Sequence, residues 1–260
     1  MIKEKFFNEV YNRYGMVTSA RGCFLYTKKG VRLTDLYQEG GRAILGWEGG
    51  NAFTHFKNIL SKGLTGSFIC EDHPRAEKAV SQLLASNRKI YFFSNKVDAL
   101  KAGVKFSPYK TAVYTPWSNT NQTNVTWADV DSVIIEPPLP WTDTVFILAL
   151  KDDPDFSLAK NISLPFALQC AITRSIYNLI EALQVRQEKD WFIYDTVLTK
   201  YWTRKGPYLE PKVPLEKYDD FVIHCLDAGI IINPEYQSSI VPFGADKGVF
   251  TKLKNSPFKY

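Results

Sequence analysis

Four short runs in the middle of the chain, IYFFS (90–94), TAVYT (111–115), SVIIEP (132–137) and TVFILAL (144–150), restrict the fold more than any other feature. IYFFS and TVFILAL are continuous apolar segments, the pattern of strands buried on both faces. Helix-period segments are interleaved with them. From Asn51 to Lys62 the positions Phe53, Phe56, Ile59 and Leu60 share one helical face, and Gly63 is placed as a stop. Ala76, Val80, Leu83 and Leu84 repeat at the same period over 74–85, and a short helix is expected near 96–102. Strands alternating with helices argue for a parallel α/β sheet. Pro137, Pro138 and Pro140 end the third run abruptly, because proline cannot donate to a central ladder.

The flanks read differently. Phe6, Phe7, Val10 and Tyr11 predict a short amphipathic helix over 3–13 that Gly15 ends. Strands are expected near 22–27 and 31–36, joined by Lys28-Lys29-Gly30, with glycine where a tight turn needs positive φ. Leu168, Ile172, Ile176, Leu179, Ile180 and Leu183 give the strongest helical stripe, over 164–189. After it the chain reads as a small α+β lobe: a strand at WFIYDTV (191–197), a turn at PYLEP, a helix at LEKYDDFVIHCLDAG and a strand at IIIN.

At 260 residues, with 45% hydrophobic and 23% charged, the chain can bury a sizeable core. A net charge of +5 carried by scattered basic residues gives no stripe for nucleic acid. Cys23, Cys70, Cys170 and Cys225 lie far apart, with no CxxC pair and no histidine at zinc-ligand spacing, so no metal is expected. The N-terminus lacks the apolar core of a signal peptide and no run reaches membrane-spanning length, so the expectation is a cytoplasmic protein without membrane contact.

Residues 21–47, RGCFLYTKKGVRLTDLYQEGGRAILGW, resemble the N-terminal signature of fold-type-I pyridoxal-phosphate aminotransferases, class III above all. Tyr26, Gly30, Leu33, Asp35, Gly40, Gly41 and Gly46 carry that likeness, and Trp47 stands where the family usually places a histidine. The order continues. HPRAEKAVSQLLA resembles the helix leading to the phosphate site, IYFFSNKVDALKA the strand and helix start that bind it, and VDSVIIEPPLP the strand ending in Glu-Pro, here Glu136-Pro137. LPFALQCAITRSIYNLIEAL is similar to the helix joining the large domain to the C-terminal lobe, and DAGIIINPEYQSSIVPF to that lobe's late strand. The resemblance implies the aspartate-aminotransferase type of α/β fold. That fold has a large domain with a parallel or mixed sheet and helices on both faces, plus a smaller α+β lobe built from both termini. The boundaries expected are 1–47 for the N-terminal part of the small lobe, 48–163 for the large domain, and 164–260 for the connecting helix and C-terminal lobe.

The resemblance also implies a site. Ser94, Asn95 and Lys96 would meet the cofactor's phosphate, Trp117 its ring face, and Asp152, or Asp153, its pyridine nitrogen. Lys160, in DPDFSLAKNIS, matches the family's Schiff-base lysine. Departures fall at the same places. Ser94-Asn95-Lys96-Val97-Asp98-Ala99 lacks the phosphate-site glycine, no acid stands cleanly in register, and far less chain separates Lys160 from Pro137 than the family uses. A catalytic lysine and a ring-nitrogen acid are what pyridoxal chemistry requires. Three functions follow from the resemblance. The first is a catalytically degenerate aminotransferase-like protein. The second is a minimal pyridoxal-phosphate aminotransferase acting through Lys160 on an amino or keto acid. The third is a non-enzymatic assembly subunit paired with a related chain. A homodimer is the expected partner state.

Overall fold

The computed structural model describes residues 3–66, 73–117, 126–141, 144–151 and 162–260. Helix α1 (Lys3–Tyr14) is followed by strands β1 (Val17–Arg21), β2 (Phe24–Thr27) and β3 (Arg32–Asp35). Next come α2 (Ala52–Ser61), α3 (His73–Leu84), β4 (Arg88–Phe93), α4 (Lys96–Phe106), β5 (Thr111–Val113), β6 (Ser132–Ile135) and β7 (Phe146–Lys151). The long helix α5 (Phe166–Val185) leads to α6 (Glu188–Phe192), α7 (Asp195–Leu198), β8 (Trp202–Lys205) and β9 (Tyr208–Pro211). The chain closes with α8 (Leu215–Asp227), β10 (Ile230–Ile231), β11 (Ser239–Ile240) and α9 (Thr251–Asn255). It divides into two compact units, Met1–Glu48 with Arg186–Tyr260, and Gly49–Val185.

The second unit carries a sheet of order β4-β7-β6-β5. Val133, Ile134 and Ile135 on β6 and Ile147 to Leu150 on β7 are all fully buried, as continuous apolar runs require when both faces are covered. One face packs on α4, where Phe93, Ile134, Phe146, Leu148 and Leu150 cluster with Ala99. On the other side α3 lies against β4, and α2 and α3 pack on α5. Each fully buried Leu or Ile contributes about 1.5–3 kcal/mol, so this sandwich is the main source of the unit's stability.

The sheet is mixed, not parallel throughout. β5 and β6 are parallel, but β7 runs antiparallel to both β6 and β4. Parallel neighbours need a crossover of a dozen or more residues, usually a helix. The stretch from Glu136 to Val145 is shorter than that, and Pro137, Pro138 and Pro140 keep it from becoming helical. β7 therefore returns beside β6 in the opposite direction, with Ile135 opposite Ile147.

The first unit has two sheets, β1-β2-β3-β10 and β11-β9-β8. The 28–30 turn forms as expected: Gly30 has φ 76° and donates to the Thr27 carbonyl at 2.9 Å. β1 went unrecognised because VTSAR is polar and shows no alternation; four of its five residues are exposed. WFIYDTV is helical, as α6 and α7, and not a strand. Gln187 and Asp190 form a capping box, with the Gln187 N–H donating to the Asp190 carboxylate at 2.7 Å, and this starts α6 just before the apolar run. PYLEP is strand β9 and not a turn. The turn is Gly206-Pro207, with Gly206 at φ 56°, between the paired Lys205 and Tyr208.

Candidate functional site

Because β7 is antiparallel to both neighbours, β4, β5 and β6 run the same way and their carboxyl ends share one edge of the sheet. Ser94, Asn95 and Lys96 leave β4 there, Trp117 follows β5, and Glu136 follows β6. Ligands of open α/β sheets bind outside such an edge. β4 and β5 are not neighbours, however. Three inter-strand spacings put Asn95 and the Trp117 side of the edge about 14 Å apart along the sheet. Anything touching both would lie across Glu136, which is half-buried, and Thr144, whose hydroxyl donates to the Ser94 carbonyl at 3.3 Å. Trp117 is half-buried with φ 54°, an unusual backbone for a bulky residue. Beside it the Tyr114 phenol is buried, which pushes its pKa well above the usual range, and its ring lies 4.9 Å from Trp127.

Asn95 is the N-cap of α4. Its side-chain oxygen accepts the Asp98 N–H at 2.8 Å, and its amide nitrogen donates to the Asp98 carboxylate at 2.9 Å. A helix N-terminus binds an anion through unspent N–H groups and its dipole. Here one of those N–H groups already serves the Asn95 cap, and a carboxylate occupies the first turn. Lys96 and Val97 point into solvent. This terminus offers a phosphate less than a glycine-rich one would: no glycine allows close approach, one donor is spent on the cap, and Asp98 adds a negative charge in the first turn.

Asp152, Asp153 and Lys160 lie outside the described residues. The chain leaves at Lys151, paired with Arg88 at the amino edge, away from Asn95. It re-enters at Ile162, whose N–H donates to the Phe92 carbonyl at 2.8 Å, near the carboxyl edge. A groove of about 450 Å³ opens between α3 and the start of β4, lined by Glu77, Ser81, Arg88 and Lys89 among others. It adjoins the amino edge, and none of its described lining residues is a sequence-derived candidate. Arg88 there is committed to the carbonyls of Trp127 and Asp131 and to the Ser86 hydroxyl. Among the described residues no cluster of His, Cys, Asp and Glu could hold a metal, and no helix is long and apolar enough to cross a membrane.

A buried polar constellation lies in the first unit. Asp35 is 1% exposed, and one carboxylate oxygen accepts the N–H groups of Tyr37 and Gln38, both at 2.9 Å. The other oxygen accepts the Trp47 indole N–H at 2.8 Å. Burial pushes the Asp35 pKa up to about 6 against those three bonds. Asp35 thus orders the turn after β3. Glu48 closes the same stretch by accepting the Gly22 N–H at 2.7 Å, and the Trp47 N–H donates to the Gly22 carbonyl at 3.0 Å. Glu48 was not singled out from the sequence, because nothing local links it to Gly22.

No protein-family model matches the chain. An uncharacterized protein of Treponema pallidum (strain Nichols) is 26% identical over 287 residues, covering 90% of this chain and 91% of its own length. Among solved structures, ornithine aminotransferase from Plasmodium yoelii superposes with a TM-score of 0.66 at 14% identity, over 97% of this chain and 96% of the other. Acetylornithine aminotransferase from Elizabethkingia anophelis gives 0.63 at 11%, over 98% of each chain. An omega-transaminase from Sphaerobacter thermophilus gives 0.64 at 10%, over 93% and 91%. The chain therefore has the fold of the pyridoxal-phosphate-dependent aminotransferases, as the opening signature implied.

Proposed function

We propose that this protein keeps the aminotransferase fold without transamination chemistry. The observation that carries the reading is the reciprocal Asn95–Asp98 cap at the start of α4, which uses a donor and adds a carboxylate where a phosphate would bind. The antiparallel course of β7 supports it, because Lys151, the residue before Asp152, stands at the edge of the sheet opposite Asn95. A carboxylate serving a pyridine ring would belong at the other edge, beside the helix terminus.

A second reading, a minimal transaminase acting through Lys160, draws on one observation. Ile162, two residues after Lys160, bonds to Phe92 close to the Ser94–Lys96 edge. In that reading Lys160 would supply the amine that holds the cofactor, while Asn95 and Lys96 would bind and orient the phosphate. Pyridoxal phosphate, when bound, supplies an electron sink for amino-group chemistry.

Absorption spectra and melting curves with and without added pyridoxal phosphate separate the two. A ligand at a hundredfold excess over its Kd stabilises by about 2.7 kcal/mol. The first reading expects no Schiff-base band, no response to borohydride and an unchanged melting temperature. A visible band that borohydride removes and Lys160→Ala abolishes would establish the second.

A further inference from the structure

The groove between α3 and the start of β4 lies at the amino edge of the sheet, away from Asn95, so the aminotransferase reading leaves it without a role. Its walls follow from the local sequence. On α3 the apolar residues Ala76, Ala79, Val80 and Leu84 are buried, while Pro74, Glu77, Lys78 and Ser81, three or four residues apart, share a second face. The first residues of β4, Arg88 and Lys89, form the opposite wall. The volume of about 450 Å³ falls within the ~300–1,000 Å³ of sites that take a small molecule.

The described lining holds three cations, Lys78, Arg88 and Lys89, against one carboxylate, Glu77. Arg88 is 4% exposed, and its guanidinium donates to the Ser86 hydroxyl at 2.8 Å, the Trp127 carbonyl at 2.9 Å and the Asp131 carbonyl at 3.0 Å. These bonds fix it in place, and a cation so deep is screened less than one at the surface. Its backbone N–H donates to the Ser81 hydroxyl oxygen at 3.0 Å, so the hydroxyl keeps its own proton for another acceptor. Lys89 meets Glu77 at 3.5 Å, a long contact that leaves the ammonium donors to spend. Lys78 and Lys89 sit at exposed positions on the two walls. The first turn of α3, at Pro74, adds the positive end of a 12-residue helix.

We propose that this groove binds a small, soluble phosphate-bearing anion. Lys78 and Lys89 donate to its phosphoryl oxygens from the two walls, the Ser81 hydroxyl adds a neutral donor, and Arg88 supplies positive charge from behind. Three cations less one carboxylate leave a charge of +2, which a phosphomonoester of about −1.5 to −2 balances. Glu77 limits the affinity, because it shares Lys89 and repels the incoming charge. A lipid headgroup carries the same phosphate, but Pro74 alone is apolar among the described lining residues, so an acyl chain would have nothing to pack on.

Calorimetric titration of the full chain with glycerol 3-phosphate at constant ionic strength tests the assignment. Glycerol serves as the uncharged control, and vesicles of phosphatidic acid in phosphatidylcholine serve as the lipid arm. Saturable binding of glycerol 3-phosphate alone is expected. Lys78→Ala should weaken it about tenfold, the worth of one charge-assisted hydrogen bond. Lys89→Ala should weaken it further, because it also leaves Glu77 facing the ligand, whereas Glu77→Gln should tighten binding. Lys101→Ala, on the exposed side of α4 across the sheet, should change nothing. All four positions are exposed or half-buried, so the variants keep the fold. The absence of saturable binding, equal losses in Lys78→Ala and Lys101→Ala, or unchanged or weaker binding in Glu77→Gln would each overturn the proposal. Binding to the vesicles without binding to glycerol 3-phosphate would overturn it in favour of a lipid.

Discussion

The Arg204 guanidinium shows how a residue-scale contact depends on getting the local element right. It donates to both Asp195 carboxylate oxygens, at 2.5 and 2.9 Å, and also to Glu188. Its side chain is 8% exposed, and the Asp195 bonds, with help from Glu188, hold its pKa above the ordinary range. Glu188 is 65% exposed and adds little, since solvent screens it. Removing one partner of a buried pair leaves the other without compensation, at a cost of about 3–5 kcal/mol. Asp195 keeps some solvent contact, so Arg204→Ala should lose about 3 kcal/mol in urea unfolding. Arg204→Lys should recover only part of that, because an ammonium cannot match the bidentate fork. Neither residue was legible from the sequence. Read as the strand WFIYDTV, residues 191–197 give Asp195 no reason to meet Arg204; as the start of α7, Asp195 faces it.

At the scale of the element, α4 combines legible and illegible parts. Its start agrees with the helix expected near 96–102, and Asn95, a residue type that favours the position, is the cap. Asn95→Ala should cost about 1 kcal/mol and Asn95→Gly only a few tenths. A cap measured at that size would mean that no ligand has replaced it in solution. Gly103, in the middle of the same helix, gave no signal, because its constraint comes from the sheet. A Cβ there would lie 2.5 Å from the Ser132 hydroxyl and 3.1 Å from the Thr111 methyl. Alanine should raise helix propensity by about 0.8–1.0 kcal/mol, yet overpacking costs about 1–3. Gly103→Ala is therefore expected to destabilise. Ser132→Ala should rescue it, because that hydroxyl is buried with no hydrogen-bond partner among the described residues. Additive effects in a double-mutant cycle would refute the contact.

For the whole molecule, the sequence made the layers readable but not their directions. Continuous apolar runs mark buried strands wherever they point, so β4, β6 and β7 were visible, while the antiparallel course of β7 follows from a connection too short for a crossover. The candidate edge was half legible for the same reason: Ser94–Lys96 and Trp117 do leave the same side of the sheet, but two strands stand between them. No local pattern marks the long-range closure of the first unit; only the resemblance implied it, as a small lobe built from both termini. Its two segments, Met1–Glu48 and Arg186–Tyr260, are separated by the entire second unit. Helix α1 ties them together. Phe6 and Val10 are buried, the Tyr14 hydroxyl donates to the Leu226 carbonyl, and Arg13 pairs with Asp227. The two polar ties sit near the surface, and Asp227 is 61% exposed, so the apolar face should dominate. Phe6 is 1% exposed, and truncating such a phenylalanine costs about 3–5 kcal/mol. Phe6→Ala should therefore lower the melting temperature by about 10 °C, at about 2–4 °C per kcal/mol for a chain near this size. Arg13→Ala should move it by no more than a degree or two, roughly what an exposed pair is worth. The reverse ranking would mean that the chain ends are held by charge and not by the buried face of α1.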